Sequence, residues 1–390
     1  MSTVRESVLI VSFHDWKSKR LAGFHKIGES LLEAGYDVGF AAHSRPLYAA
    51  FLNKDEINCF KNWKALMGGK HFKWMENELV NFTALNIEIP GFLRKGLMAK
   101  FNMKMKLLSN VLLAKKCKRM FPAPKCVIIE SGTSVCAFSA LKKRYPNTPF
   151  IYRPSDPCIG ALRKDPFLIA AERKIVQLAD KVLLVNELGR ELYMKNGYDL
   201  DTSRTFILPN GIDIESFREK CQCPKELLSK PSACYLGGHV PNWRAIFALA
   251  ELDNDLNVVV ICPEKLTAEL TVTVNNYSNI TYIEGVDPER VPEYITNTEV
   301  VMIPYPDGWS ERPLGMHGKV MQAMCANKPI VGLNLDVSLR EEGVYVTDSV
   351  ERFAQAVCEL KDSEPVQYAY DFSERDWAHF KKTFIQLAGL

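Results

Sequence analysis

Nowhere do these 390 residues offer the roughly 20 uninterrupted apolar positions of a membrane-spanning helix, so no span is expected. Residues 1–5 lead straight into an apolar run, without the ordered basic, apolar and small-residue stretches of a signal peptide, so export by that route is not expected. Zinc-site cysteine spacing is missing as well. The eleven cysteines are odd in number and scattered, and the C-x-C of Cys221 and Cys223 has no second pair or His pair beside it. Most of the others lie in apolar runs, as Cys126 and Cys262 do, where a thiol packs as a small hydrophobe. Buried, reduced thiols in a reducing cytoplasm are the expectation. A net charge of +3 is too mild to imply a nucleic-acid partner. With 47% hydrophobic and 24% charged residues, the composition also excludes disordered, collagen-like and coiled-coil classes.

What is present is alternation. Apolar runs of strand length at 8–12, 37–42, 126–130, 150–153, 181–186 and 205–208 are separated by helical patterns. One of these, over 24–34, is closed by Gly35, where a helix C′ residue with positive φ belongs. The second half repeats the scheme, with strands at 233–236, 256–262, 280–284, 299–304 and 329–333 and helices at 243–251, 288–297 and 315–325. The class is therefore α/β with parallel sheets. At roughly 100–200 residues per domain the length fits two domains. Turn chemistry over 209–231, including Asn210-Gly211 and Lys230-Pro231, marks the join. The expected architecture is two facing Rossmann-like, doubly wound domains with an interdomain cleft. They would span 1–209 and 210–371, with an amphipathic tail over 372–390 crossing back to the first as a helix.

Open α/β sheets bind ligands beyond the carboxyl ends of their strands. The turn after the first strand, Phe13 to Arg20, lacks the G-x-G-x-x-G that lets a backbone approach a pyrophosphate, which disfavours nicotinamide and flavin enzymes. Polar clusters follow other strands: His14-Asp15, Glu130-Ser131-Gly132 and Arg153-Pro154-Ser155-Asp156 in the first half. In the second they are Gly237-Gly238-His239, Pro304-Tyr305-Pro306-Asp307 and Gly315-Met316-His317-Gly318-Lys319. The last is the most specific. A glycine-containing turn opening a helix presents free backbone N–H groups and the positive dipole end, and Lys319 adds a full charge for a phosphate. Gln322, one turn on, can reach a sugar hydroxyl. Asp156, stiffened by Pro154 and Pro157, could take a proton from an attacking hydroxyl, or cap the next helix, or pair with Arg153.

Charge is uneven along the chain. Between 91 and 125 there are ten Lys or Arg and no Asp or Glu, interleaved with apolar residues such as Leu97, Phe101 and Leu108. This suits an anionic membrane surface, and the scarcity of stacking aromatics argues against nucleic acid. A solvated helix packed on the sheet is the plainer alternative.

Together these residues resemble the GT-B glycosyltransferases, and within them glycosyltransferase family 70, the xanthan-type glucuronosyltransferases. The resemblance is carried by the stretches at 8–15, 127–132 and 151–156, and by Asn210-Gly211-Ile212-Asp213, Ile303-Pro304-Tyr305, Lys319-Val320-Met321-Gln322 and Lys328-Pro329. It implies inverting, metal-independent transfer from a UDP-sugar, with no cofactor, to a lipid-diphosphate-linked saccharide. The setting implied is surface polysaccharide synthesis at the cytoplasmic face of the membrane, without nucleic acid. By the same match Asp156 is the general base, Tyr305, Lys319 and Gln322 fall in the nucleotide-sugar site, and Glu130 matches a motif residue with an acceptor-side or structural role. The strand-end residues Gly238, His239, His317 and Gly318 are expected beside the donor, and His14, Asp15 and Ser131 with Glu130 on the acceptor side. Two turns depart from the family's pattern: Gly315 to Gly318 lacks a serine, and Gly285-Val286 stands where a Glu-Met pair is expected. Lys17, Lys19, Arg20 and Arg312 are the cations available to read a sugar carboxylate. A nucleotide-sugar epimerase or phosphorylase, or a non-catalytic nucleotide-sugar-binding component, would share the fold.

Overall fold

The computed structural model describes residues 5–17, 23–43, 46, 48, 63–89, 96–161, 165–228, 230–308 and 315–390. Arg94, Lys95, Lys19, Arg20 and Arg312 lie outside them. The chain divides into two compact units, one of Met1–Pro209 with Phe380–Leu390, the other of Asn210–His379.

Eight strands build the N-terminal sheet: β1 (Ser7–Ser12), β2 (Asp37–Ala42), β3 (Lys70–Trp74), β4 (Asn77–Thr83), β5 (Val127–Glu130), β6 (Phe150–Arg153), β7 (Lys181–Leu184) and β8 (Thr205–Ile207). Their spatial order is β3-β4-β2-β1-β5-β6-β7-β8. All pairs are parallel except β3 with β4, a hairpin on one edge. Strands β3 and β4 lie outside the strand pattern read from the sequence. β3 alternates half-buried with exposed side chains, which leaves no continuous apolar run to find.

The second unit holds six parallel strands, β9 (Ser232–Leu236), β10 (Asn257–Ile261), β11 (Ile280–Ile283), β12 (Val300–Pro304), β13 (Ile330–Leu333) and β14 (Tyr345–Thr347). Their order, β11-β10-β9-β12-β13-β14, is the doubly wound arrangement in which chain direction around the sheet reverses once, between β9 and β12. The N-terminal sheet reverses likewise between β1 and β5. Both faces are covered. Along β12, Val301 and Ile303 pack with Val320, Met321 and Met324, whereas Val300 and Met302 pack with Ile246, Leu249 and Phe353. A strand buried on both sides reads as an unbroken apolar run, which is why these strands were visible in the sequence.

The helix expected over 315–325 begins at Gly318, because Gly315 takes φ 46° and His317 is extended at φ −110° and ψ 167°, so 315–317 form the turn before it. The tail also differs in detail. Ile212 N–H bonds the Arg375 carbonyl at 2.7 Å and Ile212 bridges to Asp376, which ties 372–379 to the second unit. Within the helix Trp377–Ala388, Phe380 and Phe384 are buried, and Lys181 Nζ donates to the Leu387 carbonyl at 2.6 Å in the N-terminal unit.

The basic segment is one long helix, Leu97–Met120, preceded by residues outside the described set. Its inward side is unusually polar: Asn102, Ser109, Asn110 and Lys116 are buried. Lys116 donates to the carbonyls of Ala65, Leu66 and Thr83 at 2.6–2.8 Å. Its outward side carries Leu97, Phe101, Leu107, Leu108 and Val111, all exposed, among exposed Lys100, Lys104, Lys115, Lys118 and Arg119. Among the described residues no helix is long and apolar enough to cross a membrane.

Candidate active site

In the N-terminal unit the strand ends at the reversal carry a connected polar cluster. Glu130 closes β5 with no solvent exposure, between β1 and β6. Ser12, the last residue of β1, donates through Oγ to Glu130 Oε2 at 2.5 Å, and Ser155, after β6, donates to Oε1 at 2.8 Å. The Ser12 hydroxyl oxygen also accepts the His14 N–H at 2.9 Å. His14 Nε2 stands 3.8 Å from Glu130 Oε1, within ion-pair reach when protonated. Ser131 Oγ accepts the Asp156 N–H at 3.3 Å. His14, Glu130, Ser131 and Asp156 are thus brought together. Asp15 instead closes its own turn, its Oδ1 accepting the Lys17 N–H at 3.2 Å and its carbonyl bonding His25 Nε2 at 3.0 Å.

Asp156 itself is exposed. It does not cap the short helix that follows, Cys158–Gly160, whose N-cap is Pro157. Arg153, fully buried, gives its guanidinium to the carbonyls of Pro154 and Leu208. The loop that carries Asp156 is therefore anchored through its neighbours, with Asp156 on its exposed side.

A second anchor escaped the sequence reading. Glu172, on the helix Pro166–Leu178, is fully buried beneath this loop and accepts the Cys158 and Ile159 N–H groups at 2.7 and 3.1 Å. It also accepts the hydroxyls of Tyr152, Tyr193 and Tyr198 at 2.8–2.9 Å. Its signal was available. Glu172, Ile175 and Val176 share one helical face at i, i+3, i+4 spacing, so a charged residue falls on the apolar stripe.

In the C-terminal unit the reversal between β9 and β12 carries the second cluster. Lys319, in the first turn of the helix Gly318–Cys325, donates from Nζ to Tyr305 Oη at 3.1 Å and stands over the Tyr235 and Tyr305 rings at 5.1 and 4.9 Å. His317 Nδ1 is 3.0 Å from the Gly315 carbonyl and therefore carries the proton, so Nε2 accepts from the Tyr305 hydroxyl at 3.3 Å. The chain Lys319–Tyr305–His317–Gly315 is thus fixed donor to acceptor. Burial, then the neighbouring ammonium, pushes the His317 imidazole down to about 4, and desolvation pushes Lys319 down to about 8. A Cβ on Gly237 would collide with Tyr235 Oη and Lys319 Nζ, so a larger residue there would push the ring or the ammonium aside. Gly238 faces open space, and His239 contributes its carbonyl to Tyr235 Oη at 2.6 Å while its side chain is exposed. Gln322 lies one turn beyond Lys319, half-buried, with its carbonyl in the helix ladder. Lys17, in the N-terminal unit, places its ammonium 5.4 Å from the Phe72 ring centre. Among the described residues no three His, Cys, Asp or Glu side chains converge as a metal-binding group.

Comparison with known proteins bears on the fold and on the family resemblance. Solved trehalose-6-phosphate synthases superpose along almost the whole chain. One in complex with glucose-6-phosphate, from Burkholderia xenovorans, gives a TM-score of 0.68 at 13% identity, covering 98% of this chain and 100% of that one. The E. coli enzyme bound with UDP-2-fluoro glucose gives 0.65 at 14% identity over 98% and 99%. The fold is GT-B. Residues 10–185 match the profile of the glucuronosyltransferase GumK N-terminal domain, and residues 239–363 match that of group 1 glycosyl transferases. The GT-B chain thus resembles GumK in its N-terminal unit and the wider glycosyltransferase group in its C-terminal one. Among curated proteins it is 24% identical over 193 residues to TuaH of Bacillus subtilis (strain 168), provisionally named a teichuronic acid biosynthesis glycosyltransferase. The match takes in 47% of each chain, so the GT-B chain spans about half the length of that relative.

The Glu130 cluster predicts a pH dependence. Burial outweighs the two serine bonds and the charge of Arg153, pushing the Glu130 carboxyl up to about 7 from 4.5. The folded state then binds more protons than the unfolded state between those values, so stability falls as pH rises from 4.5 to 7 and levels off above. The fall is roughly 3 kcal/mol. Glu130→Gln should flatten it, read as urea midpoints across pH 4.5–8.

Proposed function

We propose that the protein is an inverting, metal-independent glycosyltransferase. It moves a sugar, with glucuronate as the specific assignment, from a UDP-sugar to a lipid-diphosphate-linked saccharide in surface polysaccharide synthesis, working peripherally at the cytoplasmic membrane face. The observation that carries the reading is Lys319: a desolvated ammonium whose hydrogen-bond partner is a phenol, with no salt bridge to it among the described residues. Such a cation, beside the N-terminus of a helix and at the reversal of a doubly wound sheet, calls for an anion, and a diphosphate supplies one. The UDP-2-fluoro glucose bound by the E. coli neighbour and the GumK profile over 10–185 support the donor assignment.

In this reading an acceptor hydroxyl attacks the anomeric carbon. Its oxygen forms the new glycosidic bond, Asp156 takes its proton, and the carbon–oxygen bond to UDP breaks with its electron pair moving to the β-phosphate. Lys319 and the first N–H groups of its helix meet that developing charge. Attack opposite the leaving group inverts the anomeric centre. Donor binding is assigned to the C-terminal unit and acceptor activation to the N-terminal unit. The outward face of the helix Leu97–Met120, with lysines around exposed Phe101, Leu107 and Leu108, supports contact with an anionic bilayer.

Three measurements test the parts. Calorimetry with UDP in EDTA should show affinity falling as pH rises through about 8, because the binding charge on Lys319 is lost there. Lys319→Gln should bind at least tenfold more weakly and lose that limb; a wild-type profile in the variant would remove Lys319 from the donor site. Asp156→Asn should bind UDP normally yet transfer label from UDP-glucuronate to lipid-linked acceptors about 10²–10⁴-fold more slowly. UDP binding without turnover in the wild type would instead favour a nucleotide-sugar-binding component. Vesicles containing 30% phosphatidylglycerol should bind the protein in a salt-sensitive way, with Lys100→Glu combined with Lys104→Glu weakening binding by about tenfold or more. Equal binding to neutral vesicles would remove the electrostatic part of this reading.

A further inference from the structure

The loop carrying Asp156 is held at both ends by carboxylates that never reach solvent. On one side Glu130 takes the hydroxyl of Ser155, and on the other Glu172 takes the backbone N–H groups of Cys158 and Ile159. The second anchor has more donors than any ordinary structural carboxylate needs. Oε1 accepts Tyr152, Tyr193 and Cys158; Oε2 accepts Tyr198 and Ile159. Burial together with the Glu172 charge holds all three phenols well above their usual range, so they remain donors. Five neutral donors on one acceptor-only group fix it in a single orientation. Both oxygens are spoken for, and each binds one loop N–H.

We propose that Glu172 is a positioning residue for sugar transfer: by gripping Cys158 and Ile159 it fixes the backbone two and three residues beyond Asp156 and so sets where the Asp156 carboxylate stands. This rests on Asp156 being the base. Glu172 touches neither substrate nor the reacting atoms. A base misplaced by about 1 Å can cost on the order of 10²-fold in rate while substrate binding survives. A phenol facing an amide can reverse its hydrogen bond, but a backbone N–H cannot. Glu172→Gln keeps the size and polarity of the side chain, yet in either amide orientation its NH₂ faces one of the two loop N–H groups. One anchor of the loop is then lost.

The test compares Glu172→Gln, Cys158→Pro and Tyr198→Phe with the wild type. Cys158 is the first residue of its short helix and follows an extended Pro157 (ψ 132°), a position that suits proline; the change removes the N–H that Glu172 holds together with the buried thiol, and Cys158→Ala, measured beside it, reports the loss of the thiol alone. Tyr198→Phe removes a donor that does not belong to the loop. Each variant is assayed for UDP affinity, for transfer from UDP-glucuronate to the lipid fraction of the organism encoding it, and for amide exchange at 159 and, where residue 158 keeps its N–H, at 158. Expected for Glu172→Gln is a 10–100-fold fall in kcat with donor KM and UDP affinity within twofold, and exchange at least tenfold faster at whichever of the two amides faces the NH₂. Cys158→Pro should lose kcat about tenfold with the same unchanged KM, which keeps the proposal testable if the glutamine variant does not fold. Tyr198→Phe should stay within twofold of wild type. Wild-type kcat in Cys158→Pro or Glu172→Gln, while Asp156→Asn is inactive, overturns the positioning role alone. Transfer retained by Asp156→Asn overturns the base assignment and the positioning role together. An equal loss in Tyr198→Phe, with kcat and KM moving together, also overturns it, because the cluster then serves only stability.

Discussion

A carboxylate removed from water must collect hydrogen-bond donors or give up its charge, and the N-terminal unit is organised around that constraint at two places. Glu130 sits where three neighbouring strands end, so its donors come from the residues that finish β1 and follow β6. Glu172 sits beneath the next loop and draws donors from one strand, one helix, a turn and two backbone amides. Satisfying these two groups dictates the path of the chain from Arg153 to Gly160. Asp156 is the exposed carboxylate of the three, and the position of its backbone follows from what the buried two require.

The C-terminal unit solves the converse problem with a cation. Lys319 is surrounded by aromatic faces, a phenol and a glycine, none of which carries a negative charge. Neutral partners leave the ammonium desolvated but not neutralised, which lowers its proton affinity and raises the gain from an incoming anion. The Tyr305–His317 pair keeps it in place without competing for it, because a neutral imidazole only accepts from the phenol. A glutamate at position 317 would hold Lys319 as firmly and leave nothing for a ligand to complete.

Much of this was legible in the order of residues alone. The central strands are buried on both faces, so they appear as short apolar runs, and their polar ends point at the two clusters. Lys319 and Tyr305 stood out because a glycine turn before a helix and a polar residue after a strand each have a recognisable spacing. Ser12 and Ser155 did not, since a serine at a strand end looks like any turn residue until its partner, more than 20 positions away, is placed beside it. Glu172 was hidden for another reason: in Ala-Ala-Glu-Arg-Lys it reads as part of a charged surface, and only its phase relative to Ile175 and Val176 betrays the inward face. In the hairpin, β3 was missed because an exposed edge strand need not be apolar at all, and β4 because the buried Asn81 interrupts its apolar run. The basic helix was found from its charge, but its polar inward side, with Lys116 on three carbonyls, follows from no periodicity in the sequence.

The N-terminal unit contains residues from both ends of this sequence. Phe380 and Phe384 belong to its interior, Arg153 stacks over Phe380 at 5.8 Å, and Lys381 pairs with Glu33 at 2.7 Å. During synthesis more than two hundred residues of this unit are therefore made well before Phe380–Leu390 join them. Until then Phe380 and Lys381 are not yet there for Arg153 and Glu33, while the entire second unit is made. Vectorial translation thus reverses the order suggested by the sequence: the half that is made later is the half able to finish first.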